Sequence, residues 1–393
     1  LFWPRRENQA ANLAKIVKRE LRTSAVYLQH LSLSNFKNYT SAALDFRPGW
    51  NFVSGPNGAG KTNLLDAIHH LCIGKSYFHS SDQYSVQHEQ RFFRIEGKFN
   101  PEHPLKISCA YATGVKKEVK KNEVIYERLA DHVGLIPVVM ICPDDQLLID
   151  EGSEGRRRFI DNTLSQINHA YLEVLMEYNR VLLQRNAALK QFAGVNTFDA
   201  GLIESYDEQL ASSGLKLFHW RSELIDLLGE TARRFYSQLS REAETITVSY
   251  ESVCRYSDLR VALRQSIQRD LLLQRTTEGL HRDDVAFLFN ARSLKRFGSQ
   301  GQKKSFLMAL KFSQYELIKK EKNKKPILLL DDLFDKLDES RSEKIFRLIT
   351  ENGFGQVFIT DTQETRVMKF FARRPGELGH FLVKNGTAHS IQQ

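Results

Sequence analysis

The sequence has only four cysteines in 393 residues, and none forms a C-x-x-C pair. Cys72, Cys109, Cys142 and Cys254 stand apart, which excludes a zinc finger or ribbon and a disulfide framework. Three of them lie in apolar runs and are expected in the core. No apolar stretch approaches the roughly 18–20 residues of a membrane span. The N-terminal region lacks the continuous apolar centre of a secretory signal. These absences point to a reducing, cytoplasmic setting with no membrane partner. There is also no internal repeat and no low-complexity tract.

Positive charge is in excess: 56 Lys and Arg against 47 Asp and Glu give a net +9. That balance suits a partner bearing phosphates, such as nucleic acid, without requiring one. The length allows two domains or one large α/β unit. Residues 1–25 are polar and basic, and are expected to form a disordered extension outside the fold rather than a DNA-contacting arm.

Gly55-Pro56-Asn57-Gly58-Ala59-Gly60-Lys61-Thr62 matches G-x-x-x-x-G-K-[ST] without a gap. The motif follows a strand-like run from Trp50 to Val53 and precedes an apolar-periodic helix expected over Asn63–Cys72. Such glycines let backbone N–H groups wrap a phosphate, while Lys61 reaches the outer phosphates and Thr62 ligates Mg²⁺. The helix that follows adds its positive dipole end to the same anion site. The pattern predicts that the chain binds a nucleoside triphosphate.

Strand patterns begin at Tyr27 and recur at Ala43–Phe46, Arg91–Phe99, Leu105–Tyr111, Val115–Ile125 and Ile136–Cys142. From about Ser153 to Ile267 the spacing turns to threes and fours, with one long helix ending near Gly194 and a second over Leu202–Leu239. Strand character returns at Ile327–Leu330 and Gln356–Thr360, and Lys384-Asn385-Gly386-Thr387 reads as a hairpin turn.

Two further motifs carry chemistry. Ile327–Leu330 is an apolar strand ending in Asp331 and Asp332, and in a parallel sheet that end faces the ligand crevice. Asp331 would hold the hydrated Mg²⁺, and Asp332 sits where a base would polarise the attacking water. Ser299-Gln300-Gly301-Gln302 precedes a strong helix expected over Ser305–Lys319. Alone it reads as a capped helix start. After a phosphate loop and before an acidic strand end, it is similar to the signature motif of ABC-type ATPases.

The motifs together resemble the RecF family, bacterial recombination-mediator ATPases of the ABC/SMC-like class. The matching pieces are Asn35–Tyr39, Gly60–Leu65, Gly74-Lys75-Ser76, Glu154–Asp161 with Arg156-Arg157-Arg158, Asp207–Leu210, His281–Asp284, Ser299–Gln302, Leu330–Asp332 and Leu337-Asp338. The resemblance implies an α/β ABC-type ATPase head, a P-loop fold with mixed parallel and antiparallel sheet. Its halves, 26–152 and 268–393, would flank an inserted helical lobe at 153–267. It also implies ATP and Mg²⁺ as cofactors and a homodimer in which the signature of one copy completes the nucleotide site of the other. Binding to single-strand/double-strand DNA junctions would follow, with RecR and RecO as partners and RecA loading at gaps as the outcome. Asp332 stands where most ABC ATPases carry glutamate. A shorter base holds water less well, so hydrolysis is expected to be slow, DNA-stimulated and used as a switch. Alternative readings are a nucleotide-gated DNA scaffold with incidental hydrolysis and a transporter ATPase subunit. The large lobe, the missing switch histidine and the basic charge disfavour the transporter.

Other residues leave two readings open. Arg156, Arg157 and Arg158 either contact DNA phosphates or form a salt-bridged cap between lobe and head. Lys116, Lys117, Lys120 and Lys121 form either a solvated sheet edge or a DNA contact. His281–Asp284 is expected to be a hydrogen-bonded brace rather than a metal site. Tyr39 and Lys37 either flank the adenine or are exposed turn residues. Gln83 and Gln87 are candidates for a metal-sensing glutamine, and the sensor role of Thr360 and Asp361 is open.

Overall fold

The computed structural model describes residues 26–100, 104–195, 198–240, 244–333, 339–372 and 376–391. The 1–25 segment and Leu337-Asp338 lie outside the described residues. Two compact units divide the chain, one drawn from Leu1–Cys142 and Ile318–Gln393, the other from Pro143–Leu317.

The first unit contains two six-stranded sheets. One is antiparallel throughout, in the order β2-β1-β4-β5-β6-β7, from β1 (Leu28–Phe36), β2 (Tyr39–Asp45), β4 (Phe92–Phe99), β5 (Leu105–Ala112), β6 (Glu118–Lys121) and β7 (Val124–Ile125). Where Val115–Ile125 reads as one strand piece, the structure has a hairpin. Asn122 and Glu123 both take positive φ, 48° and 67°, and turn the chain in two residues.

The other sheet runs β15-β14-β3-β13-β12-β8, from β3 (Trp50–Ser54), β8 (Val138–Ile141), β12 (Ile327–Leu330), β13 (Val357–Asp361), β14 (Leu378–Lys384) and β15 (Thr387–Ile391). Its pairs are parallel except the β14–β15 hairpin. Strands β3, β8, β12 and β13 are buried along their whole length. This is why their sequences are largely apolar rather than alternating, with Asn51 and Ser54 of β3 and Thr360 and Asp361 of β13 as polar exceptions.

Helix α1 (Lys61–Ile73) is buried on nearly every side, with Leu64, Leu65, Ile68 and Leu71 in the same core as Leu31, Phe93 and Ile95 of the antiparallel sheet and Val53, Leu329 and Phe358 of the parallel one. Lys61, Asp66, His69 and His70 are buried along with them, so the helix is interior without being uniformly apolar. The parallel register sets Thr360 beside Val53 and Leu330 beside Ile359, so the loop after β3, Asp331 and Thr360 emerge at one edge. Cys72, Cys109 and Cys142 are buried and Cys254 is half-buried. Among the described residues, no helix is long and apolar enough to cross a membrane.

The second unit holds α2 (Ser153–Ile167), α3 (His169–Val195), α4 (Ala200–Leu239), α5 (Leu259–Leu273) and a three-stranded sheet, β11-β10-β9, of Ile246–Glu251 (β9), Asp284–Phe289 (β10) and Arg292–Ser293 (β11). It reaches beyond the helical stretch at 153–267 at both ends. Helix α6 (Gln300–Lys322) starts five residues earlier than its periodicity suggests and passes from this unit into the first. Helices α7 (Glu339–Glu351) and α8 (Glu364–Phe371) complete the first unit.

A buried ion cluster ties the long helices together. Arg185 of α3, fully buried, bonds Asp207 of α4 and Asp270 of α5, each at 2.7 Å, and Thr276 at 2.9 Å. Removing the cation strands two carboxylates in the interior, so Arg185→Ala is expected to cost about 3–5 kcal/mol in urea unfolding. A loss below about 1 kcal/mol, the scale of a surface pair, would contradict this account of the lobe.

Candidate nucleotide-binding site

The loop leaves β3 at Ser54 and enters α1 at Lys61. Gly55 has φ +148°, and a Cβ there would stand 2.2 Å from the Val383 carbonyl oxygen of β14. Gly60, with φ +118°, would set a Cβ 2.5 Å from the Asn38 side chain. Both positions accept glycine alone. Helix α1 begins two residues earlier than its apolar spacing suggests, so Lys61 and Thr62 belong to its first turn.

Lys61 is buried, and its Nζ donates to the carbonyls of Gly55 at 2.9 Å and Pro56 at 3.2 Å. No carboxylate pairs with it among the described residues. A buried ammonium held only by main-chain carbonyls at a helix N-terminus is suited to an anion such as a phosphate.

Asp331 lies just beyond β12, 3% exposed, and its carboxylate is bound from two directions. Thr62 Oγ1 donates toward both oxygens, at 3.0 and 2.8 Å, and Thr360 Oγ1 donates to Oδ1 at 2.8 Å. Burial pushes the carboxyl up to about 6 against the two hydroxyls, with Asp332 raising it further and Lys61 lowering it. A threonine hydroxyl and a carboxylate form a hard oxygen set that fits Mg²⁺.

Thr360 also accepts from the Asp332 N–H at 2.9 Å. Asp332 takes a left-handed φ of 41°, a conformation aspartate tolerates better than most residues. Thr360 is thus joined directly to both acids. Asp361 instead accepts from Gln363 N at 2.8 Å, at the start of α8.

In the second unit, Ser299 and Gln302 form a reciprocal capping box. Ser299 Oγ accepts from Gln302 N at 3.2 Å, and Gln302 Oε1 accepts from Ser299 N at 2.8 Å. Gln302 Nε2 donates to Glu244 at 2.8 Å, Gln146 donates to Gln300 at 3.0 Å, and Lys303 pairs with Asp150 at 2.7 Å. Ser299 and Gln300 are exposed and Gly301 half-buried, so a long helix presents its N-terminus to solvent.

The remaining candidates separate. Arg156 is buried, bonds both oxygens of Asp284 at 2.6 and 2.9 Å, and donates to the carbonyls of Leu148 and Glu151. Arg157 donates to Ser153 and to the Asp283 carbonyl. Only Arg158, paired with Glu154, is largely exposed. Arg156 is therefore committed to the interior of its own unit, which corrects its candidacy as a DNA contact. His281–Asp284 forms the expected brace, through Tyr178 to His281, Tyr250 and Arg221 to Asp283, and Arg156 to Asp284. No group of three or more metal-ligating His, Cys, Asp or Glu residues occurs among the described residues.

Lys117 pairs with Asp82 at 2.6 Å and Lys120 with Glu118 at 3.1 Å. Lys116 and Lys121 are exposed, and Gln87 donates to Thr40 Oγ1 at 2.9 Å while Gln83 is exposed. Both readings of Tyr39 and Lys37 fail. Tyr39 is fully buried and its hydroxyl donates to the Gly60 carbonyl at 2.9 Å. Lys37 pairs with buried Asp66 at 2.7 Å, its ammonium over the Phe36 and Phe78 rings.

If Thr360 fixes the cation-ligating carboxylate, Thr360→Val should weaken Mg²⁺ affinity about 10–100-fold, the usual effect of losing an outer-shell partner. Magnesium titration of nucleotide binding reads this directly. An unchanged midpoint would remove Thr360 from the site.

Residues 27–134 match the RecF/RecN/SMC N terminal domain. The chain is 42% identical over 342 residues to the DNA replication and repair protein RecF of Flavobacterium johnsoniae, covering 87% of this chain and 95% of that one. It is 37% identical over 368 residues to RecF of Bacteroides fragilis, covering 93% and 99%. A structure described as the recombination mediator protein RecF-ATP in the RecFOR pathway superposes with a TM-score of 0.85, at 29% identity and with 94% and 98% coverage. An Smc head domain from Pyrococcus furiosus, 15% identical with a TM-score of 0.54 over 93% and 96% of the two chains, shares the fold alone. The chain belongs to the RecF family of DNA replication and repair proteins.

Proposed function

We propose that this protein is an ATP-dependent recombination mediator that dimerises around ATP on DNA. The observation that carries the reading is the Asp331 carboxylate, held by hydroxyls of Thr62 and Thr360 beside a phosphate loop. Backbone N–H groups of the loop over Asn57–Thr62 and the Lys61 ammonium bind the triphosphate. Thr62 and Asp331 hold Mg²⁺, which when bound neutralises charge on the phosphate oxygens. Thr360 keeps the Asp331 carboxylate in place and fixes the backbone of Asp332. Asp332 orients and polarises the attacking water. Its carboxylate stands one methylene closer to the backbone than a glutamate's, which supports slow turnover to ADP and phosphate, used as a switch.

The capped turn Ser299–Gln302 is suited to a phosphate carried by a second copy of the chain, since Ser299 and Gln300 at the helix N-terminus are exposed. Nucleotide and signature would then hold the dimer together only while ATP persists. Single-strand/double-strand junctions are the proposed DNA targets, with Arg158 a candidate contact. RecR and RecO are the proposed partners and RecA loading at gaps the outcome, in a cytoplasmic setting. The basic balance of the chain supports a polyanionic partner.

Lys61→Met and Asp331→Asn should each lower ATP turnover at least about 100-fold, and an unchanged rate in either would sink the site assignment. Ser299→Arg should leave ATP binding to the single chain intact while preventing ATP-dependent dimerisation; a dimer that still forms would remove the composite site. A non-hydrolysable ATP analogue should support junction binding but not release. Complete function without turnover would favour a scaffold whose hydrolysis is incidental.

A further inference from the structure

The turn between β1 and β2 touches the phosphate loop from the side away from its hollow. In a planar trans peptide the C=O and N–H of one unit point in opposite directions. A loop can offer N–H groups to an anion only if the matching carbonyls turn outward, and buried outward carbonyls need donors. Two such carbonyls have them. Ala59 C=O accepts from Asn38 Nδ2 at 2.8 Å and from Gly386 N at 3.2 Å. Gly60 C=O accepts from the Tyr39 hydroxyl at 2.9 Å as well as from Leu64 N in α1.

These are the carbonyls whose peptide units carry the N–H groups of Gly60 and Lys61. We propose that Asn38 and Tyr39 are positioning residues for the anion cradle, holding the peptide planes that aim those two N–H groups at the triphosphate. The inference rests on the reading of the loop as a triphosphate site.

The turn is itself fixed by several contacts. Asn38 Oδ1 accepts from Asn63 Nδ2 at 2.8 Å, which orients the amide so that its nitrogen faces Ala59. Phe36 pairs with Tyr39, leaving Lys37 and Asn38 as the two turn residues. Lys37 adopts φ +51°, costly for a long L side chain. It is retained there by its ammonium on Asp66 at 2.7 Å and its N–H on the Ser85 carbonyl at 2.9 Å. Asp66 lies on α1, one turn beyond Thr62. The turn packs closely on Gly386, where a Cβ would sit 2.2 Å from the Asn38 carbonyl oxygen.

The test uses the full chain and three variants. Tyr39→Phe removes one hydroxyl with little change of shape. Asn38→Asp keeps the acceptor for Asn63 but loses the donor to Ala59, and Asn38→Ala loses both. ATP affinity by equilibrium dialysis, amide exchange of residues 55–63 without nucleotide, and the thermal midpoint are read together. Each variant should bind ATP about tenfold more weakly, the scale of one lost buried hydrogen bond, with faster exchange confined to the loop. Asn38→Asp should lose more than Asn38→Ala, since it brings a negative charge to the cradle.

Wild-type ATP affinity in Tyr39→Phe and Asn38→Asp, with only the midpoint lowered, would make both residues merely structural and overturn the proposal. Lys61→Met separates the two levels. If it loses ATP binding while the turn variants keep it, the positioning role fails and the site stands. If Lys61→Met also binds as wild type, the reading of the loop fails and this inference with it.

Discussion

The candidate site depends on one buried carboxylate. Asp331 sits at the end of a strand whose neighbours, β13 and β8, are parallel to it, and it receives hydroxyls from Thr62 and Thr360. Thr62 lies 269 residues away in the chain. An acid this buried is tolerable only with donors around it, and those donors come from the loop that begins α1 and from the end of β13. The parallel register is therefore also the register of the site. A slip of one residue in β12 or β13 would leave the carboxylate without its partners.

The parts legible in the sequence were those whose physics is local. The glycine spacing of 55–62 is dictated by backbone angles and by close approach of β14, so it reads directly as a phosphate loop. Ile327–Leu330 reads as a buried strand because both of its faces are covered. The two-residue turn at Asn385-Gly386 follows from the positive φ that both residues accept. The start of α6 at Gln300 was masked by the polarity of its first turn, where a serine–glutamine capping box replaces the apolar period.

The parts that were not legible depend on distant contacts. Nothing in Asn38-Tyr39 announces that an amide and a phenol will meet carbonyls 21 residues on. An aromatic and a lysine in a turn suggested a base-stacking surface, whereas burial of Tyr39 and the Lys37–Asp66 pair use them up in the interior. The three consecutive arginines show the same effect. Helical geometry sends Arg156 inward to Asp284 and leaves Arg158 outside, a division that a charge run cannot reveal. Thr360 was ambiguous because its meaning lies in Asp331 and Asp332, which only the parallel pairing of β12 and β13 brings alongside.

The central claim is that ATP joins two copies of this chain through the phosphate loop of one and the Ser299–Gln302 turn of the other. Sedimentation velocity of the full chain with ATP, with ADP and without nucleotide, each with and without a gapped duplex, tests it most directly. The account predicts a single copy without nucleotide or with ADP and a dimer with ATP, strengthened by the duplex. A chain that has the same mass under all these conditions, while still binding ATP, would contradict it.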